Sequence, residues 1–269
     1  MPTTIILLNI KLLAIPGATQ MSANGINDRG QVVGQFTDSN GVAHGFVYDE
    51  DSFCRLDYPG ARETNILAIN NLGQMVGMFT TLAATAGFLY DRGTFSPPLN
   101  YPGAGNFTVP NGVNDRGEMV GVFQDATPGE HSFHYKAGKY DPLAYPGAAE
   151  TAAQDINNSG QVVGNFPDAG GTHGFVYLEN VGVFTSALNC PAGTVTTFRG
   201  INDGGQIVGG CVDAQGNEHP FLYVAGSLHP VLIPGATTAS VTSINDRDQI
   251  VGKFEAATGA SAFVATIPA

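Results

Sequence analysis

One stretch recurs through the chain and limits what it can fold into: Gly25-Ile-Asn-Asp-Arg-Gly-Gln-Val-Val-Gly34 returns in recognisable form six times in 269 residues. Its central asparagine stands at Asn27, Asn70, Asn114, Asn157, Asn202 and Asn245, and successive subtraction gives 43, 44, 43, 45 and 43 residues. A fixed period of roughly 40 to 50 residues marks one supersecondary unit stacked many times, because a unit of that size cannot bury its apolar face alone.

Within the first unit, Met21 to Asn27 reads as a strand, Asp28 to Gly30 as a turn and Gln31 to Thr37 as a second strand. Polar residues from Asp38 to Gly41 lead into a third strand, Ala43 to Tyr48, and Phe53 to Tyr58 makes a fourth. The turn chemistry fits: Asn bonds local backbone, Asp suits a type I turn, and Gly30 accepts the left-handed conformation that closes a bulged hairpin. Only the sixth unit departs, with Asp248 in the glycine's place. The next glycine, from Gly34 to Gly252, is expected to let neighbouring units approach. A content of 36 Gly and 16 Pro suits many short strands joined by tight turns.

Four short antiparallel strands in a meander form one propeller blade. The expected fold is all-β: a six-bladed β-propeller with four antiparallel strands per blade, in a single domain over residues 1–269. Pro-Gly-Ala segments mark the unit starts at Pro16, Pro59, Pro102, Pro146, Pro191 and Pro234, with Ala192 and Gly193 exchanged in the fifth. The last unit ends after its third strand, Ser261 to Thr266, and Asn9 to Ile15 stands before Pro16 where fourth strands stand before the other starts. Residues 1–15 are therefore expected to complete the sixth blade and close the ring, which removes the exposed edges.

The pattern of Pro16-Gly-Ala, the Gly25 to Gly34 stretch and His44-Gly-Phe46 resembles the bacterial HAF-type extracellular repeat proteins over nearly the whole chain. That resemblance implies a secreted setting and brings no settled activity. The apolar start, Ile5 to Ile15, is broken by Asn9 and Lys11, lacks a basic leader and is too short to span a bilayer.

A formal charge of −12 argues against nucleic acid or an anionic membrane as partner, since both need clustered Lys and Arg. A monomer is expected. The three cysteines, Cys54, Cys190 and Cys211, show no metal-ligand spacing and cannot all pair with one another. Cys211 takes a place held by Phe36, Phe79, Phe123, Phe166 and Phe254 elsewhere, which reads as a buried inert thiol.

Positions constant in every unit must serve folding, so Asn27 and its counterparts read as structural, and a single functional site should lie where the units differ. His44, His131, His173 and His219 open His-Gly-Phe or its equivalents, with Asp38, Asp125, Asp168 and Asp213 upstream; the second and sixth units lack both partners. The covariation predicts a paired, structural Asp and His. His134 and His229 stand outside the pattern and read as surface or packing residues.

The innermost strand of each blade should face the axis, and the residue before Gly25 or its equivalent reads Asn24, Leu67, Asn111, Gln154, Arg199 and Thr242. Further breaks nearby are Glu63 and Glu150 at strand starts, Asn65, and Asp155 where Gly25, Gly112 and Gly200 stand in other units. Asn24, Asn111, Asp155 and Glu150 offer the oxygen ligands that Ca²⁺ requires, while Asn24, Asn65, Gln154, Arg199 and Thr242 could hold a small-molecule ligand in the tunnel. An alternative is a polar, water-filled channel with Asp155 and Arg199 paired.

With a metal at the axis, Glu63, Glu150 or Asp155 could ligate it or act as base in hydrolysis of an ester, lactone or phosphoester. Six-bladed calcium-dependent esterases and lactonases are similar in blade number and in the kind of residue. The alternative is a non-enzymatic extracellular propeller for carbohydrate or protein, with sugar binding weakened by the absence of Trp.

Overall fold

The Asn-Asp-x-Gly turn forms as its residue types require. Asn27 Oδ1 accepts hydrogen bonds from the backbone N–H groups of Arg29 and Gln31, and its own N–H donates to the Gln31 carbonyl. Gly30 adopts φ 81°, and in the sixth unit Asp248 takes the same place at φ 55°. The computed structural model describes all residues except 1–3, 106, 186, 191–194, 257–258 and 269, so the fifth unit's Pro191 lies outside the described residues.

On either side of the first turn run β3 (Gln20–Ile26) and β4 (Val32–Thr37), followed by β5 (Ala43–Asp49) and β6 (Ser52–Arg55), preceded by β1 (Ile5–Ile6) and β2 (Leu8–Leu13). Strands β3 to β6 pair in sequence order as an antiparallel sheet, and the later units repeat it. Four sheets are four-stranded. A fifth, nine-stranded path holds two such meanders, joined by a parallel bridge between Thr172 and Val195, with β1 at its edge. No helix occurs among the described residues.

The N-terminal segment binds two sheets. β2 pairs antiparallel with Gly259–Thr266, supplying a fourth strand to the last sheet, while β1 pairs parallel with Ser227–Leu232 of the preceding unit. Leu7 between them is buried in the apolar cluster of those two units. Assigning residues 1–15 to the sixth blade alone does not foresee this second attachment.

Adjacent sheets pack face to face. Val33 of the first unit shares a cluster with Ile66, Phe79 and Phe88 of the second, and Val251 and Ala262 of the last share one with Phe36 and Phe46 of the first. At the centre of each sheet lie Phe46, Phe88, Phe133, Phe175, Phe221 and Phe263, all 0–2% exposed. Each such burial contributes about 1.5–3 kcal/mol, which explains why the His-Gly-Phe phenylalanine persists where the histidine does not.

The Gly34 series serves a different contact from the one expected. A Cβ on Gly34 would lie 1.9 Å from the Ser22 carbonyl oxygen, within the same sheet, where the register shifts between Ala23 and Gly25. The bulge presses the paired strand against position 34. Close approach between neighbouring units falls instead at Gly25, against Ala68 Cα, and at Gly112, against Asp155.

Candidate functional site

The turns meet in a ring. Asn27 Nδ2 donates to the Asn70 carbonyl, Asn70 to that of Asn114, and so on through Asn157, Asn202 and Asn245 back to Asn27, at 2.8–3.1 Å. These asparagines are 3–6% exposed, so each is a buried amide with both ends satisfied. A second ring runs through the next residue. The N–H of Asp28 donates to Asn71 Oδ1, and the relay continues through Asp115, Asn158, Asp203 and Asp246 back to Asp28, at 2.7–2.8 Å.

In that second ring Asn71 bridges Asp28 and Asp115, and Asn158 bridges Asp115 and Asp203. Asp203, Asp246 and Asp28 follow one another with no amide between them. Burial, reinforced by the Asp203 and Asp28 charges, holds the Asp246 carboxyl above its ordinary range.

Behind the rings lies a cavity of about 90 Å³ on the inner strands, lined by all six residues that precede the Gly25 position: Asn24, Leu67, Asn111, Gln154, Arg199 and Thr242. The donors of Asn24, Asn111 and Thr242 point into the wall. Asn24 Nδ2 reaches Asn65 Oδ1 at 2.7 Å and the Ile66 carbonyl at 2.9 Å, Asn111 Nδ2 the Ala153 carbonyl at 2.9 Å, and the Thr242 hydroxyl the Ala23 carbonyl at 2.8 Å. No protein donor reaches the Oδ1 atoms of Asn24 and Asn111 among the described residues.

Asp155 also lines this cavity. Its Oδ1 accepts the Ile156 N–H at 2.9 Å and its Oδ2 the Ile201 N–H of the next unit at 3.0 Å. Burial pushes its pKa up to about 7, although the two N–H groups favour the carboxylate. Arg199 does not pair with it. The guanidinium instead binds the Glu218 carboxylate and reaches the Val241 carbonyl at 3.4 Å.

Glu63 and Glu150 lie elsewhere. Glu63 opens its strand at the far end from the turns, exposed, and Glu150 packs its side chain over the Gly129 backbone beside Glu130, whose carboxyl is raised by burial and by the Glu150 charge. The geometry therefore brings Asn24, Asn111, Gln154, Asp155, Arg199 and Thr242 together and sets Asn65 behind Asn24. It leaves Glu63 and Glu150 outside.

All four Asp and His pairs form, at 3.5 Å for Asp38 and His44, 3.7 Å for Asp125 and His131, 2.7 Å for Asp168 and His173 and 2.9 Å for Asp213 and His219. His173 Nδ1 also meets Asn189, and with Asp168 this raises its pKa. The buried His44 meets a further carboxylate, Asp57, at 3.0 Å.

Cys190 and Cys211 form a disulfide, which corrects the inert-thiol reading; Cys54 is free and exposed. The signal was present in the repeat. Where the residue before Pro-Gly is tyrosine it stacks on the Phe36-type residue of the unit that follows, as Tyr58 on Phe79, Tyr101 on Phe123 and Tyr145 on Phe166, each at 3.7 Å. At the junction of the fourth and fifth units both partners become cysteine, and a covalent bond replaces the stack.

His134 is buried rather than at the surface. It is 8% exposed and shares a corner with Glu118, 3% exposed, and the half-buried Glu179; one ligand atom from each lies within 4.8 Å of the others. Burial pushes the imidazole pKa down. Burial alone would raise Glu118, but hydrogen bonds from Asn114, Lys136 and Arg116 outweigh it and hold the carboxylate below its usual range. This trio is close enough to share an ion.

Among solved structures the chain is similar to TolB from Acinetobacter baumannii, with a TM-score of 0.62 and 11% identity over 88% of this chain and 63% of that one. The β-propeller domain of the Trilobed protease from Pyrococcus furiosus gives 0.61 and 13% over 93% and 79%, and streptogramin B lyase gives 0.54 and 15% over 97% and 87%. At these identities the likeness defines the class of fold: an all-β protein of propeller type. The chain spans less than two thirds of TolB's length. No protein-family model matches the sequence, and no curated protein does.

Proposed function

We propose that the chain is a six-bladed propeller, a single closed domain over residues 1–269, that binds one Ca²⁺ ion on its central axis. The carrying observation is the wall of the axial cavity: the Asn24, Asn111 and Thr242 donors are committed to neighbouring backbone, which leaves the Asn24 and Asn111 amide oxygens without a protein donor among the described residues, beside the Asp155 carboxyl, while the one cation of the lining, Arg199, is paired with Glu218. Such an acceptor-rich lining suits a hard cation. At about 90 Å³ the cavity suits an ion with its water better than an organic ligand, whose sites run to hundreds of Å³. The net charge of −12 favours the same guest. The disulfide supports an oxidising, extracytoplasmic setting, with no nucleic acid or membrane partner.

The test is thermal melting of chelator-treated protein with and without added Ca²⁺. Saturation at about 100 times Kd gives about 2.7 kcal/mol, hence a rise of roughly 5–10 °C for a chain of this size. Asp155→Asn should abolish the rise. Without the ion, the raised Asp155 pKa means that the folded state binds the extra proton, so stability falls as pH rises from about 4 to about 7. Added Ca²⁺ should flatten that fall, and Asp155→Asn should remove it. Equal melting with chelator and with Ca²⁺ would exclude the ion.

Metal-assisted hydrolysis draws support from Asp155 alone, a buried carboxyl lining the cavity that could ligate the ion or exchange a proton with substrate. Turnover of aryl or phosphate esters, present with Ca²⁺ and absent with chelator, is the measurement that separates it from an ion with a binding role.

A further inference from the structure

The corner at Glu118 is built from repeat-breaking residues. Five units carry glutamine directly after the turn, at Gln31, Gln74, Gln161, Gln206 and Gln249; only the third carries a carboxylate, Glu118. Five units carry an aliphatic residue after the central phenylalanine, at Val47, Leu89, Val176, Leu222 and Val264; only the third carries an imidazole, His134. Glu179, after the strand Gly171–Leu178 of the next unit, completes the trio.

Substitution of one ion pair for a hydrogen bond does not explain this corner. In the first unit Gln31 Nε2 donates to Asp49 at 2.8 Å. In the third, Glu118 and Lys136 hold the equivalent places and pair at 3.0 Å, which satisfies the exchange by itself. His134 is left over. Its Nε2 is buried and has no hydrogen-bond partner among the described residues, although both carboxylates lie close by. A buried imidazole nitrogen without a partner is costly where an aliphatic residue fills the same position in the other five units.

We propose that Glu118, His134 and Glu179 bind a divalent transition ion such as Zn²⁺, with His134 Nε2 as the nitrogen ligand and one oxygen from each carboxylate. One imidazole and two carboxylates form a three-ligand set that leaves a coordination position for water. Lys136 is the stand-in. Its half-exposed ammonium contacts Oε1 of both Glu118 and Glu179 and can swing to solvent, while Arg116 holds the Oε2 atoms of the same carboxylates and keeps them oriented. Gly160 makes the room, since a Cβ there would lie 2.3 Å from Glu179 Oε2.

The experiment is isothermal titration of the chelator-treated full chain with ZnCl₂, with metal analysis after dialysis. One equivalent should bind. Glu179→Gln and His134→Ala should each weaken binding at least about tenfold, whereas Lys136→Met, which removes the competing ammonium, should strengthen it about tenfold. Asp155→Asn should leave zinc binding unchanged, which separates this corner from the axis. Glu179 is only half-buried, so its variant remains informative if His134→Ala fails to fold. Absence of zinc from both wild type and Lys136→Met overturns the proposal, and so does binding that Glu179→Gln does not weaken.

Discussion

The ring of turns and the corner at Glu118 meet at one turn, a few residues apart, yet obey opposite rules. Asn114 belongs to the ring. It repeats in every unit because each copy must cap its own turn and donate to the next carbonyl, so one residue closes a hairpin and an interface together. Glu118, four residues on, retains the bond that Gln31-type residues accept from that asparagine, and differs only in charge and in what gathers around it. Constancy across the units therefore marks the bonds that assemble the ring, and departure that preserves those bonds marks a place free to acquire chemistry.

The comparison is most directly broken at the ring. Asn157→Ala removes the caps to Ser159 and Gln161 and the bond to the Asn202 carbonyl, all around a buried site. The expected loss is about 3 kcal/mol in urea unfolding, and a loss below about 1 kcal/mol would mean that water replaces the ring bonds.

The disulfide tests whether a covalent bond can take over a ring-stacking position. Its removal by Cys190→Ser with Cys211→Ser should cost about 2–4 kcal/mol, and Cys190→Tyr with Cys211→Phe should recover part of that through the stack found in three other units. If the Tyr and Phe pair is no more stable than the serine pair, the two contacts are not interchangeable.

A smaller effect is expected at the Asp and His pairs. His173 has its pKa raised from 6.5 by Asn189 and Asp168, so its contribution is fully present below about 6.5 and disappears as pH rises through the folded value. Melting of His173→Gln and wild type should therefore converge at alkaline pH and separate as pH is lowered. A constant difference at all pH values would assign the residue to packing against Phe166.

Turn, strand order and the pairing of Asp with His were legible because they depend on neighbours in sequence or on residues that vary together between copies. The series Asp28, Asn71, Asp115, Asn158, Asp203 and Asp246, which alternates as far as Asp203, was also open to reading, and it signals the second ring. So was the joint change at Cys190 and Cys211. The axial residues are identified by the same contrast; Glu63 and Glu150 break the repeat as well, but they stand at or before the starts of their strands, outside the cavity lining.

The repeat by itself determined the meander, its turns, the buried phenylalanines and the positions where copies differ, because period and residue type act within one unit. Only the tertiary structure decided which differences meet. Glu118 and His134 share one sheet but Glu179 comes from the next, and Asp155 accepts an N–H from Ile201 a whole unit away. Such meetings depend on how one sheet rotates against its neighbour. Packing between curved faces sets that angle, which spacing along the chain does not encode.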